Sequence, residues 1–261
     1  MISSDKKVLV IGASGGIGRT VSRLLSLQGR SLVLSGRNSA SLQKTVDDLH
    51  NPDAHEILVA DITTDIGRIA LACRMEQGDI EHLINISGIN ELSAFTDQTA
   101  NSIEQIINTN LTSMMLLTRE ILVRVNHEKP LSITYVGSTL GAIGIPGYAT
   151  YCASKFALRG FCEALSRELS DCAIKIKYFA PRSTQTTMNS DVASAMNTEL
   201  GNKVDSVNLV ARELLKFIDS SAESLHIGWP EKLFVKINGA FPLLVSNNLK
   251  KQLPIVRKYI G

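Results

Sequence analysis

The sequence predicts a doubly wound α/β fold: one parallel sheet of seven strands with helices on both faces, followed by a C-terminal amphipathic helical extension. Three observations carry this. Short β-branched runs alternate with helix-length segments along the chain, the order that builds βαβ units. The short runs are apolar throughout or nearly so, as strands buried on both faces must be. No repeat, low-complexity stretch or clear linker divides the 261 residues, so residues 1–229 read as one domain and 230–261 as an addition to it.

The expected strands are Lys7–Ile11, Ser31–Ser35, Glu56–Ala60, His82–Ile86, Leu131–Val136, Ile174–Phe179 and Ser224–Gly228. Helices are expected over Gly16–Gln28, Ser39–Leu49, Asn101–Val125, Ala153–Leu169 and Val207–Ile218. Right-handed crossovers then put a ligand at the carboxyl ends of the strands.

Hydrophobic residues make up 44% of the chain and charged residues 20%, which suits a soluble protein with a substantial core. The net charge of +2 is too small to draw nucleic acid. Cys73, Cys152, Cys162 and Cys172 lack both the paired spacing of a metal site and the density of a disulfide scaffold. Idle thiols in a reducing compartment are expected. No apolar run approaches the roughly 18–20 residues that span a bilayer, and the first, Val8–Ile11, is strand-length rather than a signal sequence. A cytoplasmic location follows as the expectation.

The first chemical signal is Gly12-Ala13-Ser14-Gly15-Gly16-Ile17-Gly18, between the first strand and the first helix. Glycines permit positive φ and let backbone approach a pyrophosphate. A helix amino terminus offers free N–H groups and partial positive charge. The strand–turn–helix context within the first 20 residues points to a dinucleotide. The second strand ends in Ser35-Gly36-Arg37-Asn38, with no carboxylate to bind an adenosine ribose. Arg37 suits a 2′-phosphate, so NADP(H) is the preferred cofactor, with NAD(H) left open. Asp61, after the third strand, is either a contact for the adenine amino group or a helix cap before Thr63 and Thr64.

Tyr151 and Lys155 stand four apart at the start of a helix, on one face. A free tyrosine has a pKa of about 10 and is a poor base at neutral pH. A neighbouring ammonium favours the phenolate, which makes proton exchange with a substrate oxygen practicable. Ser138, thirteen residues before Tyr151, follows the fifth strand, where it could hydrogen-bond the same oxygen.

The order of glycine turn, Asn-x-x-Gly, Asn, Ser and Tyr-x-x-x-Lys resembles the short-chain dehydrogenase/reductase family from about residue 5 to 228. The resemblance implies a Rossmann-type domain and hydride exchange with a nicotinamide, with no metal. It assigns Tyr151 as proton donor or acceptor, Ser138 as the group orienting the oxygen, and Lys155 as a holder of the nicotinamide ribose. Asn110 matches the residue that kinks a helix and positions a water. Around the cofactor it implies Gly12, Ser14, Gly15, Gly16, Ile17, Gly18, Arg37, Asp61, Ile62, Asn85, Ser87, Gly88, Tyr151, Lys155, Pro181, Thr184 and Thr186. Three positions depart from the pattern. Asn-Asn-Ala-Gly is Asn85-Ile86-Ser87-Gly88, and the basic residue of many NADP-using relatives is Gly15 here. Pro-Gly becomes Pro181-Arg182, with Arg182 expected as a tolerated surface change or a residue tuning access to the site.

Residues 182–204 resemble the family's mobile substrate lid, with Met188, Val192 and Met196 as apolar contacts. The loop Gly141–Tyr148 either lines a pocket for a hydrophobic substrate or packs as an ordinary loop. In the tail, apolar residues such as Leu233, Ile237, Leu244, Leu249, Leu253 and Val256 recur near helical spacing, with Pro242 as a break. Six basic residues stand there against the single acid Glu231. The tail is expected either to lie on an anionic membrane surface or to pack on its own body or a sister subunit. Apolar residues Met114, Met115, Leu117, Ile121, Leu122 and Val125, with Phe156, Leu158, Phe161 and Leu165, exceed what a sheet face needs. In the family the equivalent helices form a subunit bundle, so a homodimer or homotetramer is expected. The expected activity is NADPH-dependent reduction of a hydrophobic ketone, a 3-oxoacyl chain or acyl thioester among them. Two alternatives stand beside it: oxidation of an alcohol or hydroxysteroid, and a non-catalytic dinucleotide sensor.

Overall fold

Continuous apolar runs with period-two alternation between two cores produce the sheet. The structure is a computed structural model and describes residues 6–260. The strands are β1 Lys7–Ile11, β2 Leu32–Gly36, β3 Glu56–Val59, β4 Ile80–Asn85, β5 Leu131–Val136, β6 Ile174–Ala180 and β7 Ser224–His226. All pairings are parallel, in the order β3-β2-β1-β4-β5-β6-β7. The helices are α1 Gly16–Leu27, α2 Ser39–Asp47, α3 Asp65–Glu76, α4 Ala100–Ile107, α5 Ser113–Arg124, α6 Ala149–Glu168, α7 Asp191–Glu199, α8 Val207–Ile218, α9 Glu231–Ala240 and α10 Pro242–Ile260.

Leu9 and Ile11 of β1 join the core under α3, α5 and α6, while Val8 and Val10 join the one under α1, α2 and α8. A side chain on each face at every step is the reason for the unbroken apolar runs. Strand order reverses beside β1, which opens a crevice at the carboxyl ends of β1 and β4.

Several expected boundaries move. Strand β4 begins at Ile80, two residues before the expected start, where it pairs with Lys7 of β1. The helix expected over Asn101–Val125 is interrupted by a π turn at Asn108–Thr112. Its central residue, Asn110, is buried and bonded to the loop after β4 instead of pointing to solvent. Helix α6 starts at Ala149, so Tyr151 lies within its first turn. Of the apolar residues that the sequence sets aside for a subunit contact, Met114, Leu117, Ile121 and Leu158 are consumed by the core. Met115 and Phe156 remain exposed.

The tail packs on the body. Val245 and Val256 of α10 are buried, and Val256 joins Tyr148, Tyr151, Cys152 and Met196 in a third apolar cluster. A Cβ at Gly147, whose φ is +83°, would stand 2.7 Å from Leu92 and 3.0 Å from Ile260. Asn238 donates to the Ala142 carbonyl at 2.9 Å, and Ala94 N–H to the Ile260 carbonyl at 3.2 Å. No helix among the described residues is long and apolar enough to cross a membrane.

One buried cation holds the last sheet face together. Lys177 of β6, 4% exposed, donates to the carbonyls of Phe217 (2.7 Å), Ile218 (3.1 Å) and Ser220 (2.6 Å). These oxygens end α8, where a cation meets the negative end of the helix dipole. Its ammonium also lies 4.6 Å from the Phe217 ring centroid. Lys177→Met keeps the volume and strips the carbonyls of their donor. The expected loss of stability is about 3 kcal/mol, read as a lower urea midpoint, and an unchanged midpoint would refute the role.

Candidate active site

The glycine turn is built by close approach. Gly12 has φ +83°, and a Cβ at Gly18 would fall 2.1 Å from the Gly12 carbonyl oxygen. Only glycine closes this turn. Gly15 precedes α1 without a side-chain cap, so the first-turn N–H groups of the helix are left for another acceptor. Thr186 leans on this turn, its Cγ2 being 3.2 Å from where a Cβ of Gly16 would be. At the end of β4, Asn85 Oδ1 accepts from both the N–H and the hydroxyl of Ser87. Asn85 Nδ2 is buried without a partner among the described residues. A glycine cradle at a helix amino terminus with an orphan donor nearby fits a dinucleotide's phosphates and ribose.

Ser138 follows β5 and caps a short turn, its Oγ accepting from Leu140 N–H at 3.1 Å. Tyr178 of β6 supports that turn. Its hydroxyl accepts from Ser138 N–H at 3.3 Å and donates to the Ser138 carbonyl at 3.2 Å. A Cβ at Gly137 or Gly141 would come within 2.2–2.3 Å of the Tyr178 ring or hydroxyl. The two glycines flanking Ser138 are the one sequence signal for this wedge, and the sequence reading passed over it.

On α6, Tyr151 packs edge-on to Tyr148 at 6.3 Å between centroids. Lys155 Nζ lies 5.7 Å from the Tyr151 ring centroid and donates to the Val136 carbonyl at 3.2 Å. Asn110 joins the loop after β4 to this helix. Its Oδ1 accepts from Ile89 N–H (2.9 Å), and its Nδ2 donates to the Ile89 carbonyl (2.8 Å) and to Ser154 Oγ (3.1 Å).

Burial governs the titration of the pair. It pushes Tyr151 up to about 12, the Ser138 side chain pulling the other way, and it brings Lys155 down to about 8. The lowering of the tyrosine by the ammonium, expected from sequence, does not contribute, and desolvation sets the direction. Tyr151 therefore carries its proton at neutral pH.

A cavity of about 810 Å³ connects these parts. It is lined by Gly12, Gly15, Gly16, Ile17, Gly18, Ser87, Gly88, Ser138, Tyr151, Lys155, Pro181, Thr184 and Thr186. Ser14, Asn85 and Asn110 do not line it, Asn85 and Asn110 being fully buried, and Arg37, Asp61 and Ile62 stand outside it, past the ends of β2 and β3. Asp61 Oδ1 accepts from Thr63 N–H at 2.9 Å and from Thr63 Oγ1 at 2.7 Å, while Thr64 caps α3. Arg37 is exposed. The far half of the cavity sets apolar side chains among polar ones such as Asn189, Asn248 and Gln252. Ile143, Ile145 and Tyr148 of the loop, Met188 and Met196 of the lid, and Phe234, Leu249 and Val256 of the extension face it. Val192 does not line it and stays exposed.

Arg182 corrects the sequence reading most clearly, being no surface variation. Its side chain is 12% exposed and pairs with both Asp205 and Glu231. The partners are 23 and 49 residues away, which no local pattern shows.

The profile of the short chain dehydrogenase family matches residues 6–197. The 3-oxoacyl-[acyl-carrier-protein] reductase of Bos taurus is 29% identical over 228 residues, 85% of this chain and 95% of that protein. Nodulation protein G of Rhizobium meliloti is 32% identical over 187 residues, 71% of this chain and 76% of that protein. Among solved structures, a short-chain dehydrogenase from Sphingobium yanoikuyae in complex with NADPH has a TM-score of 0.77 at 26% identity, covering 92% of this chain and 95% of that one. The family match covers more than half of the chain and the nodulation protein exceeds 30% identity, so the chain belongs to the short-chain dehydrogenase family of oxidoreductases.

Proposed function

We propose that the protein is an NADPH-dependent reductase of hydrophobic ketones, with Tyr151 as proton donor. The observation that carries this reading is the convergence of Tyr151, Ser138 and Lys155 on one wall of a chamber that also holds the glycine turn. Delivering a proton to a carbonyl oxygen needs a group that holds one, and the Tyr151 hydroxyl is placed to give it. The glycine turn, Ser87, Gly88, Pro181, Thr184 and Thr186 would hold the cofactor, and the nicotinamide, when bound, supplies the hydride. Ser138 orients the ketone oxygen, Tyr151 hands it the proton from its hydroxyl, and Lys155 returns a proton toward Tyr151. Asn110 keeps the loop after β4 and α6 in register so that these groups converge. The likeness to a 3-oxoacyl reductase and the apolar lining support a ketone on a carbon chain. A mere dinucleotide sensor would have no use for the Ser138, Tyr151 and Lys155 arrangement.

The extension supports a second contact, with an anionic lipid surface. Leu233, Phe241, Leu243 and Leu244 are exposed beside the exposed Lys232 and Lys236, and the one acid, Glu231, is engaged by Arg182. Apolar side chains ringed by lysines match a bilayer of negative headgroups.

Tyr151→Phe is expected to lower kcat for ketone reduction by about 10³-fold with NADPH binding, followed by fluorescence titration, unchanged. Substantial remaining turnover would refute the assignment. Arg37→Ala is expected to weaken NADPH by about tenfold through loss of a charge-assisted contact, leaving NADH unaffected, and equal effects would remove the 2′-phosphate role. In flotation, wild-type protein is expected to rise with phosphatidylserine vesicles and the Leu243→Ser, Leu244→Ser double variant to stay behind. Equal behaviour of the two would exclude the lipid contact.

A further inference from the structure

The lid rises and returns at one point. Asp205 N–H donates to the Ser183 carbonyl and the Asp205 carbonyl accepts from Gln185 N–H, both at 2.9 Å, with a parallel bridge between Thr184 and Asp205. Arg182 seals this base in a fork, Nε to Asp205 Oδ2 at 2.9 Å and Nη2 to Oδ1 at 2.6 Å. Asp205 is 4% exposed, so the pair is shielded from water, and removing either member would strand a buried charge. The remaining arm of the guanidinium points elsewhere. Nη1 donates to Glu231 Oε2 at 2.8 Å and to the Trp229 carbonyl at 3.0 Å, at the first turn of α9. Gly228 makes room for this, since a Cβ there would lie 2.8 Å from Arg182 Cδ. One planar side chain therefore grips the end of β6, the two feet of the lid and the root of the extension.

The extension that it roots forms the chamber's outer wall, through Phe234, Val245, Leu249 and Val256. We infer that Arg182 is a positioning residue: by bridging Asp205 and Glu231 it holds the C-terminal helices against the lid, and the wall so held selects ketones with long apolar chains. A short ketone bound at Tyr151 meets only Val256 of that wall, whereas a long chain extends to Phe234, Val245 and Leu249. Arg182 thus governs binding of the substrate's distal end and not the chemistry at the carbonyl. Lysine cannot substitute, because a point charge lacks the fork for Asp205 and a separate arm for Glu231.

The chain-length part rests on the reductase reading; the bridging part does not, and the test separates them. Hydrogen–deuterium exchange in α9 and α10 is compared between full-length wild-type, Glu231→Gln and Glu231→Lys proteins. On the same preparations, KM and kcat are measured with NADPH for butanone and for a long-chain methyl ketone. Glu231→Lys is expected to speed exchange in α9 by about tenfold and to raise KM for the long ketone by about tenfold, with kcat and the butanone KM unchanged. Glu231→Gln, which retains an acceptor for Nη1, should fall between. Unchanged exchange in Glu231→Lys overturns the bridge. Faster exchange with an unchanged ratio of the two KM values overturns the role in selecting chain length. Wild-type protein that reduces neither ketone overturns the reductase reading, and the exchange result alone then decides the bridge.

Discussion

The wedge of Tyr178 between two glycines is the contact on which the site's geometry depends. Its ring fills the space where Gly137 and Gly141 have no side chains, and its hydroxyl is bonded to both sides of Ser138's backbone. The turn after β5 thus has one position relative to β6. The same glycine, Gly141, brings the turn against the Lys155 backbone, where a Cβ would lie 2.8 Å from its carbonyl oxygen. Sheet, turn and helix α6 are locked by contact of backbone against ring, and neither Ser138 nor Tyr151 can shift alone. Any side chain at either glycine would force the three apart.

Three cations with little exposure, Lys155, Lys177 and Arg182, are each treated differently. Lys177 has three helix-end carbonyls. Arg182 has two carboxylates and a carbonyl. Lys155 has the Val136 carbonyl alone, and burial draws it down to about 8. Well-partnered charges build the scaffold. The under-partnered one stands beside Tyr151, where a proton that leaves easily is useful.

Legibility followed range. The strands, the glycine turn and the Tyr151–Lys155 pair are local patterns, written in runs and spacings of a few residues, and the elements that carry them form within a few residues of where the sequence puts them. The π turn at Asn108–Thr112 was legible only as a kink, since its cause is a bond from Asn110 to Ile89, 21 residues back. Tyr178 looks like any strand aromatic until β6 is set beside β5. The tail was ambiguous because its apolar spacing suits a lipid surface, a sister subunit or its own body equally well. What decides is Gly147, whose missing side chain admits Ile260, and that pairing spans over a hundred residues.

Closing the chamber also acts on the protons within it. Val256 and Met196 pack in the cluster that contains Tyr151, so the extension and lid are part of what keeps water from the hydroxyl. Desolvation drives tyrosine and lysine to their neutral forms together, Tyr151 upward and Lys155 downward. A site open to solvent would relax both shifts. That exclusion is the work of the cluster packed around Tyr151, while the ion cluster at Arg182 acts at the far end, on the root of α9. In the proposed reaction the two parts divide the work: the outer wall receives the substrate's chain, and the inner cluster keeps the proton on the oxygen that must give it up.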